Sequence, residues 1–146
     1  MKWKIVAVGK PALAFARAGV GEYLPRLKRY APAEVVYLKE SGSREENARR
    51  LLAASEGCHR LVLDERGDLM NTAALAEKIG VWEMDRVKEI AVLVGGADGH
   101  DEATRRAADL TLCLGRLTMQ HELALVVTLE QLYRAYTVRR GEPYHR

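Results

Sequence analysis

Short apolar runs alternate with longer stretches of helical periodicity along the whole chain. Lys4–Val8, Glu34–Leu38, Arg60–Asp64, Ile90–Val94 and Leu110–Leu114 are runs of strand length, rich in β-branched residues and bounded by turn residues, so each predicts a strand. Pro11 opens a helical stretch toward Tyr30, in which Gly19 and Gly21 are poor helix formers and predict a bend or break. Ser43 and Glu46 have the spacing of a capping box ahead of a helix over Arg44–Ala54, which Gly57 closes. Asn71 or Thr72 caps a third helix that halts near Gly80, Asp101 caps a fourth over Glu102–Asp109, and Gln120–Arg139 is the last and longest. Strands alternating with helices predict an α/β fold: a mostly parallel sheet with helices on both faces, in one domain over residues 1–146.

Two of these stretches stand out. Ile90–Val94 is apolar at every position and ends at Gly95, Gly96 and Gly99, as a strand buried on both faces does where a ligand approaches its carboxyl end. The spacing fits neither a P-loop nor a dinucleotide fingerprint, and the first strand lacks the paired acids of a phospho-receiver. A plain glycine-rich turn is the competing account. The last helix carries Leu123, Ala124, Leu125, Val126, Val127 and Leu129 with almost no polar face. A helix apolar all round is buried all round. A second copy of the chain is expected to cover what the sheet does not, against the alternative of burial within one chain.

Composition adds limits rather than identity. No apolar stretch has the length of a membrane span, and the run at the start is too short for a signal peptide, so a cytoplasmic protein without membrane contact is expected. Cys58 and Cys113 make neither a metal spacing nor a disulfide framework and are expected as buried free thiols, with no metal bound. The net charge of +3 is unevenly spread. Residues 1–30 hold seven Lys/Arg against one Glu, and residues 134–146 four Arg against one Glu. These basic ends form one patch for nucleic acid only if the fold brings them together; otherwise they are solvated faces.

Candidate chemistry lies at strand ends and in the tail. Leu114–Met119 follows a buried strand and runs into the last helix; with the Gly95 loop it can hold a planar heterocycle such as adenine between backbone groups and apolar walls. Glu130 and Arg134 have the spacing of a surface ion pair or of a functional pair. Tyr144, His145 and Arg146 combine groups suited to base stacking and phosphate contact. His100 is expected as a cap or surface residue and His59 at the surface, while His121 is either a helix-start or a site residue.

The order L-V-G-G-A-D-G, L-G-R-L-T-M-Q-H, T-L-E-Q-L-Y-R-A-Y and P-Y-H-R, with V-A-V-G-K and R-L-V-L-D upstream, resembles the ribosomal RNA large subunit methyltransferase H family. These are small SPOUT-class enzymes, and the resemblance spans the chain. It implies a trefoil knot in the C-terminal part, a homodimer, and methyl transfer from S-adenosylmethionine to N3 of a pseudouridine in 23S ribosomal RNA, on the free large subunit or the assembled ribosome. It places the cofactor on Leu63, Gly95, Leu114, Gly115, Arg116, Leu117, Thr118 and Met119. It places catalysis on Arg134, Tyr144, His145 and Arg146, with Arg134 and either Arg146 or His145 stabilising the deprotonated base and His145 alternatively acting as general base. Arg116 stands where a small residue is usual, so its side chain is expected to point away. Gln120 and Glu122 replace frequent prolines around His121, and the Ser41–Asn47 segment is shorter than in some relatives. A non-catalytic nucleotide-binding module and a ribosome-binding dimer without methyl transfer are the alternatives.

Overall fold

The computed structural model describes the whole of Met1–Arg146. Strands β1 (Lys2–Val8), β2 (Ala33–Leu38), β3 (His59–Leu69), β4 (Glu89–Val94) and β5 (Leu110–Cys113) form one parallel sheet in the order β2-β1-β4-β3-β5. Between and after them lie α1 (Ala14–Lys28), α2 (Arg44–Ala54), α3 (Thr72–Met84), α4 (Glu102–Arg106) and α5 (His121–Arg140).

Both sheet faces are covered because side chains alternate along each strand. Trp3, Ile5 and Ala7 of β1 point into the larger apolar layer with α1, α3 and α5. Val6 and Val8 point the other way, onto Leu51 of α2. In β4 every residue from Ile90 to Val94 is buried. Trp3 Nε1 donates to the Tyr136 hydroxyl at 2.8 Å, a buried bond that ties the sheet to α5.

Several boundaries differ from the sequence reading, each for a tertiary reason. Helix α1 runs unbroken through Gly19, Gly21 and Pro25. A Cβ at Gly19 would lie 2.7 Å from Val126 Cγ1, so the missing side chain is what lets α5 pack closely. Helix α3 passes Gly80 and ends at Met84; the space beside Gly80 is filled by the Arg139 guanidinium, which reaches Glu83 at 2.7 Å. Helix α4 is one turn and a little more, and β3 continues to Leu69 after a register shift between Leu63 and Asp68. Ser43 accepts from the Glu46 amide at 3.2 Å, but the Glu46 carboxylate turns to Arg49 and Arg50, so only half of a capping box forms.

Helix α5 buries Leu125, Leu129, Leu132, Ala135 and Tyr136, yet Leu123 stays exposed, as do Leu13 and Phe15 beside α1's start. One chain therefore does not bury this helix all round. Cys113 is buried as expected, whereas Cys58 is only partly covered. His59 is half-buried against Trp82, with ring centroids 5.2 Å apart, rather than free at the surface. The Tyr30 hydroxyl donates to Glu142 at 2.6 Å and the Arg140 guanidinium lies 5.5 Å over the Tyr30 ring. These contacts bring the basic end of α1 beside the basic tail. No helix is long and apolar enough to cross a membrane.

Candidate active site

Parallel strands that end on one edge leave a crevice there. A cleft of about 430 Å³ occupies that edge. Three segments wall it: Leu63–Arg66 from the middle of β3, the loop Val94–His100 after β4, and the connection from β5 to α5, with His121 and Ala124 at the helix start. Such a volume suits a nucleoside-sized ligand.

The glycine loop is narrow by construction. A Cβ on Gly95 would lie 3.1 Å from the Gly99 carbonyl carbon and 3.3 Å from the His100 ring, so a side chain there crowds the loop. The loop closes through a Gly99 amide to Gly96 carbonyl bond of 3.0 Å, with Gly99 at φ +72°. Across the cleft, the Cys113 thiol donates to the Gly115 carbonyl at 2.9 Å and Thr118 Oγ1 donates to Glu65 at 3.1 Å, pinning the second loop. The backbone amides of Gly115–Met119 donate to no backbone carbonyl within the chain. Leu63, Gly95, Leu114, Gly115, Leu117, Thr118 and Met119 all line the cleft, while Arg116 is exposed and does not.

His100 departs from the expected cap or surface role. It is 5% exposed, its Nε2 lies 3.2 Å from the Leu93 carbonyl, and its Nδ1 has no partner. A carbonyl accepts, so Nε2 carries the proton and a lone pair is buried at Nδ1. Burial pushes its pKa below the ordinary imidazole value. Arg105 holds the segment by donating to the His100 carbonyl at 2.7 Å and pairing with Asp64 at 3.7 Å. His121 is both the first residue of α5 and a lining residue of the cleft, so its position fits either alternative.

The catalytic candidates form a separate cluster on α5. Arg134 donates to Glu130 Oε1 from Nε at 2.9 Å and Nη2 at 2.5 Å, and its Nη1 lies 3.3 Å from His145 Nδ1. The Tyr144 hydroxyl donates to the same Glu130 oxygen at 3.0 Å, under the Arg134 guanidinium and against the edge of Tyr133. Burial first, and then the Glu130 carboxylate, push the Tyr144 phenol up to about 12. The bond to Glu130 raises Arg134 above its ordinary value. Arg146 is exposed. Within one chain the cluster and the cleft do not meet: Ala124 is the last α5 residue on the cleft, and Arg134 lies about 15 Å further along the axis at 1.5 Å per residue.

Sequence reasoning passed over Arg44, Asp64, Glu65 and Arg66, charged residues that line the cleft. Asp64 was visible as the polar stop of an apolar strand. The role of Glu130 as the shared acceptor for Arg134 and Tyr144 was hidden, because an i,i+4 spacing says nothing of a residue that folds back from the tail. No group of His, Cys, Asp and Glu side chains is arranged to hold a metal ion.

Comparison with known proteins bears on the family and the fold. A family model described as predicted SPOUT methyltransferase matches residues 1–145. The chain is 51% identical over 146 residues to the ribosomal RNA large subunit methyltransferase H of Thermus thermophilus, covering 100% of this chain and 99% of that protein. It is 39% identical to the protein of the same name in Deinococcus radiodurans, with the same coverage. Among solved structures, a probable methylase family protein from Haemophilus influenzae superposes with a TM-score of 0.62 at 13% identity, covering 99% of this chain and 70% of that one. A tRNA methyltransferase from Aquifex aeolicus gives 0.57 at 12%, covering 92% and 70%. These two speak for the fold, and the full-length relatives for the family: the chain belongs to the ribosomal RNA large subunit methyltransferase H family of SPOUT methyltransferases.

Proposed function

We propose that the chain methylates N3 of a pseudouridine in 23S ribosomal RNA of the large subunit, using S-adenosylmethionine, as a homodimer of single SPOUT domains spanning residues 1–146. The cofactor supplies, when bound, a methyl group already activated on a sulfonium. The cleft fits it. Leu63, Leu114, Leu117 and Met119 offer apolar walls for adenine, the amides of Gly115–Met119 offer donors, and Gly95 lets the loop after β4 fold tightly against Gly99 and His100 at the cleft's edge. Arg116 serves through its backbone alone. The same reading gives the chain the family's knot around residues 114–119.

The rest of the task is to orient a base and favour loss of its N3 proton. N3 lies between two carbonyls, so cations and donors aimed at those oxygens favour the anion. Arg134, His145 and Arg146 provide such groups, and Tyr144 an aromatic face for the base. The observation that carries this reading is the separation of cleft and cluster on one helix, since a second copy can bring its tail to the first copy's cleft. Leu13, Phe15, Leu117 and Leu123 remain exposed around the starts of α1 and α5, an apolar surface for that second copy.

The test is transfer of labelled methyl from S-adenosylmethionine to ribosomes lacking the modification, with free large subunits assayed in parallel. Label on N3 of one pseudouridine is expected. Tight binding of S-adenosylmethionine without any transfer to either substrate would refute the assignment.

A further inference from the structure

Glu130 lies off the cleft yet at the centre of the α5 cluster. Its Oε1 accepts from Arg134 Nε, Arg134 Nη2 and the Tyr144 hydroxyl, and its Oε2 accepts from Gln131 Nε2 at 2.8 Å. Gln131 is held in turn by Thr72 Oγ1 of α3 at 2.7 Å. The carboxylate is therefore fixed on two sides, and its side chain is 16% exposed. A guanidinium has only donors, so the contact of Arg134 Nη1 with His145 Nδ1 makes Nδ1 the acceptor. That leaves the ring's proton on Nε2, facing away from Arg134 on an exposed side chain. The Tyr144 hydroxyl hydrogen is committed to Glu130 in the same way. The cluster presents N–H donors and leaves neither His145 Nδ1 nor the Glu130 carboxylate free to take a proton from a base.

Building on the function proposed above, we infer that Glu130 is a positioning residue: through Arg134 it holds His145 as an Nε2–H donor toward a carbonyl beside N3, and through Tyr144 it seats the tail on α5. His145 then acts as a hydrogen-bond donor and not as the general base. In the step this serves, N3 gives its proton to water and its electron pair forms the bond to the methyl carbon, while the C–S bond breaks and its pair stays on sulfur.

The experiment uses the full chain with nitrogen-15 histidine, read by NMR for the imidazole tautomer, beside methyl transfer to ribosomes lacking the mark and calorimetry with S-adenosylmethionine. Wild type is expected to show an Nε2–H signature for His145, identified by its loss in His145→Gln. Glu130→Gln is expected to convert that signature to a mixture and to lower kcat about 10- to 100-fold, while the cofactor Kd stays within about 2-fold because Glu130 does not line the cleft. His145→Gln, whose amide donates but takes up no proton, is expected to keep at least about 10-fold more kcat than His145→Ala. An Nδ1–H signature in wild type, an unchanged signature in Glu130→Gln, or equal inactivity of His145→Gln and His145→Ala overturns the inference. Should Glu130→Gln fail to fold by thermal melting, Glu130→Asp, which retracts the carboxylate by one methylene, gives the same readout. Wild type that binds cofactor and shows the Nε2–H signature but transfers no methyl overturns the proposed function itself, and the role of Glu130 in it.

Discussion

Tyr144 and His145 are held by residues of the same helix they fold back onto, so the tail is a built part of the molecule. Deleting Tyr144–Arg146 is expected to abolish methylation while leaving the cofactor affinity nearly unchanged, since none of the three lines the cleft; turnover and calorimetry on the truncated chain check this. His100 makes a second prediction. Its folded-state pKa lies below the unfolded value, so both states are neutral above about pH 6.5. As pH falls below that, the unfolded chain takes up a proton first, and stability is lost at up to about 1.4 kcal/mol per pH unit. Denaturant melts from pH 7 to 5 should show this slope, and His100→Leu should flatten it. Arg134, Tyr144 and His145 stood out in the sequence as motif residues, and the fold brings their side chains together. The burial of His100 was not legible in the sequence, because it depends on the path of the loop after β4, which turns at Gly99 with φ +72° and sets the ring against the Leu93 carbonyl.

At the scale of elements, the five strands and both Asx caps, Asn71 and Asp101, were legible, since they rest on local pattern and local hydrogen bonds. Gly19 and Gly80 were misread as helix breakers because propensity is local and their reasons are not. Each lies where another element presses in: Val126 of α5 at Gly19, Arg139 at Gly80. Gly19→Ala is therefore expected to destabilise the fold by about 1–3 kcal/mol, despite alanine's better helix propensity, because the new methyl meets a stiff β-branched side chain. Adding Val126→Ala should recover most of that loss, and a double-mutant cycle by urea unfolding measures the coupling. Additive losses would mean that the two helices separate to accommodate the methyl.

The whole molecule sets cleft and cluster apart on α5, and complementation tests whether copies share a site. Gly95→Val, which forces the cleft-lining loop away from Gly99 and His100, and the chain lacking Tyr144–Arg146 are each expected to be inactive. Mixed and reassorted, they should regain about a quarter of wild-type activity, because half the dimers are then mixed and each holds one intact cleft facing one intact tail. No recovery would mean that each chain completes its own site. The basic end of α1 and the basic tail meet through Tyr30 and Glu142, which no reading of charge along the sequence could decide. Ribosome binding is accordingly expected to weaken with added salt, with a log–log slope of about 0.7–0.9 per phosphate contact.

The strand order also governs how the chain comes into being. β3 pairs only with β4 and β5, both later in sequence, and β1 gains its second neighbour only when β4 arrives. A nascent chain that has emerged only as far as Lys88 thus lacks both sheet neighbours of β3, whose Leu61–Leu63 run is buried in the finished fold, and one neighbour of β1. Sheets joined through such distant partners close slowly, and unpaired apolar edges attract other chains. Release of the chain before residue 94 is therefore expected to leave it prone to aggregation, and release after Cys113 to let the sheet close, which limited proteolysis of stalled chains of the two lengths checks.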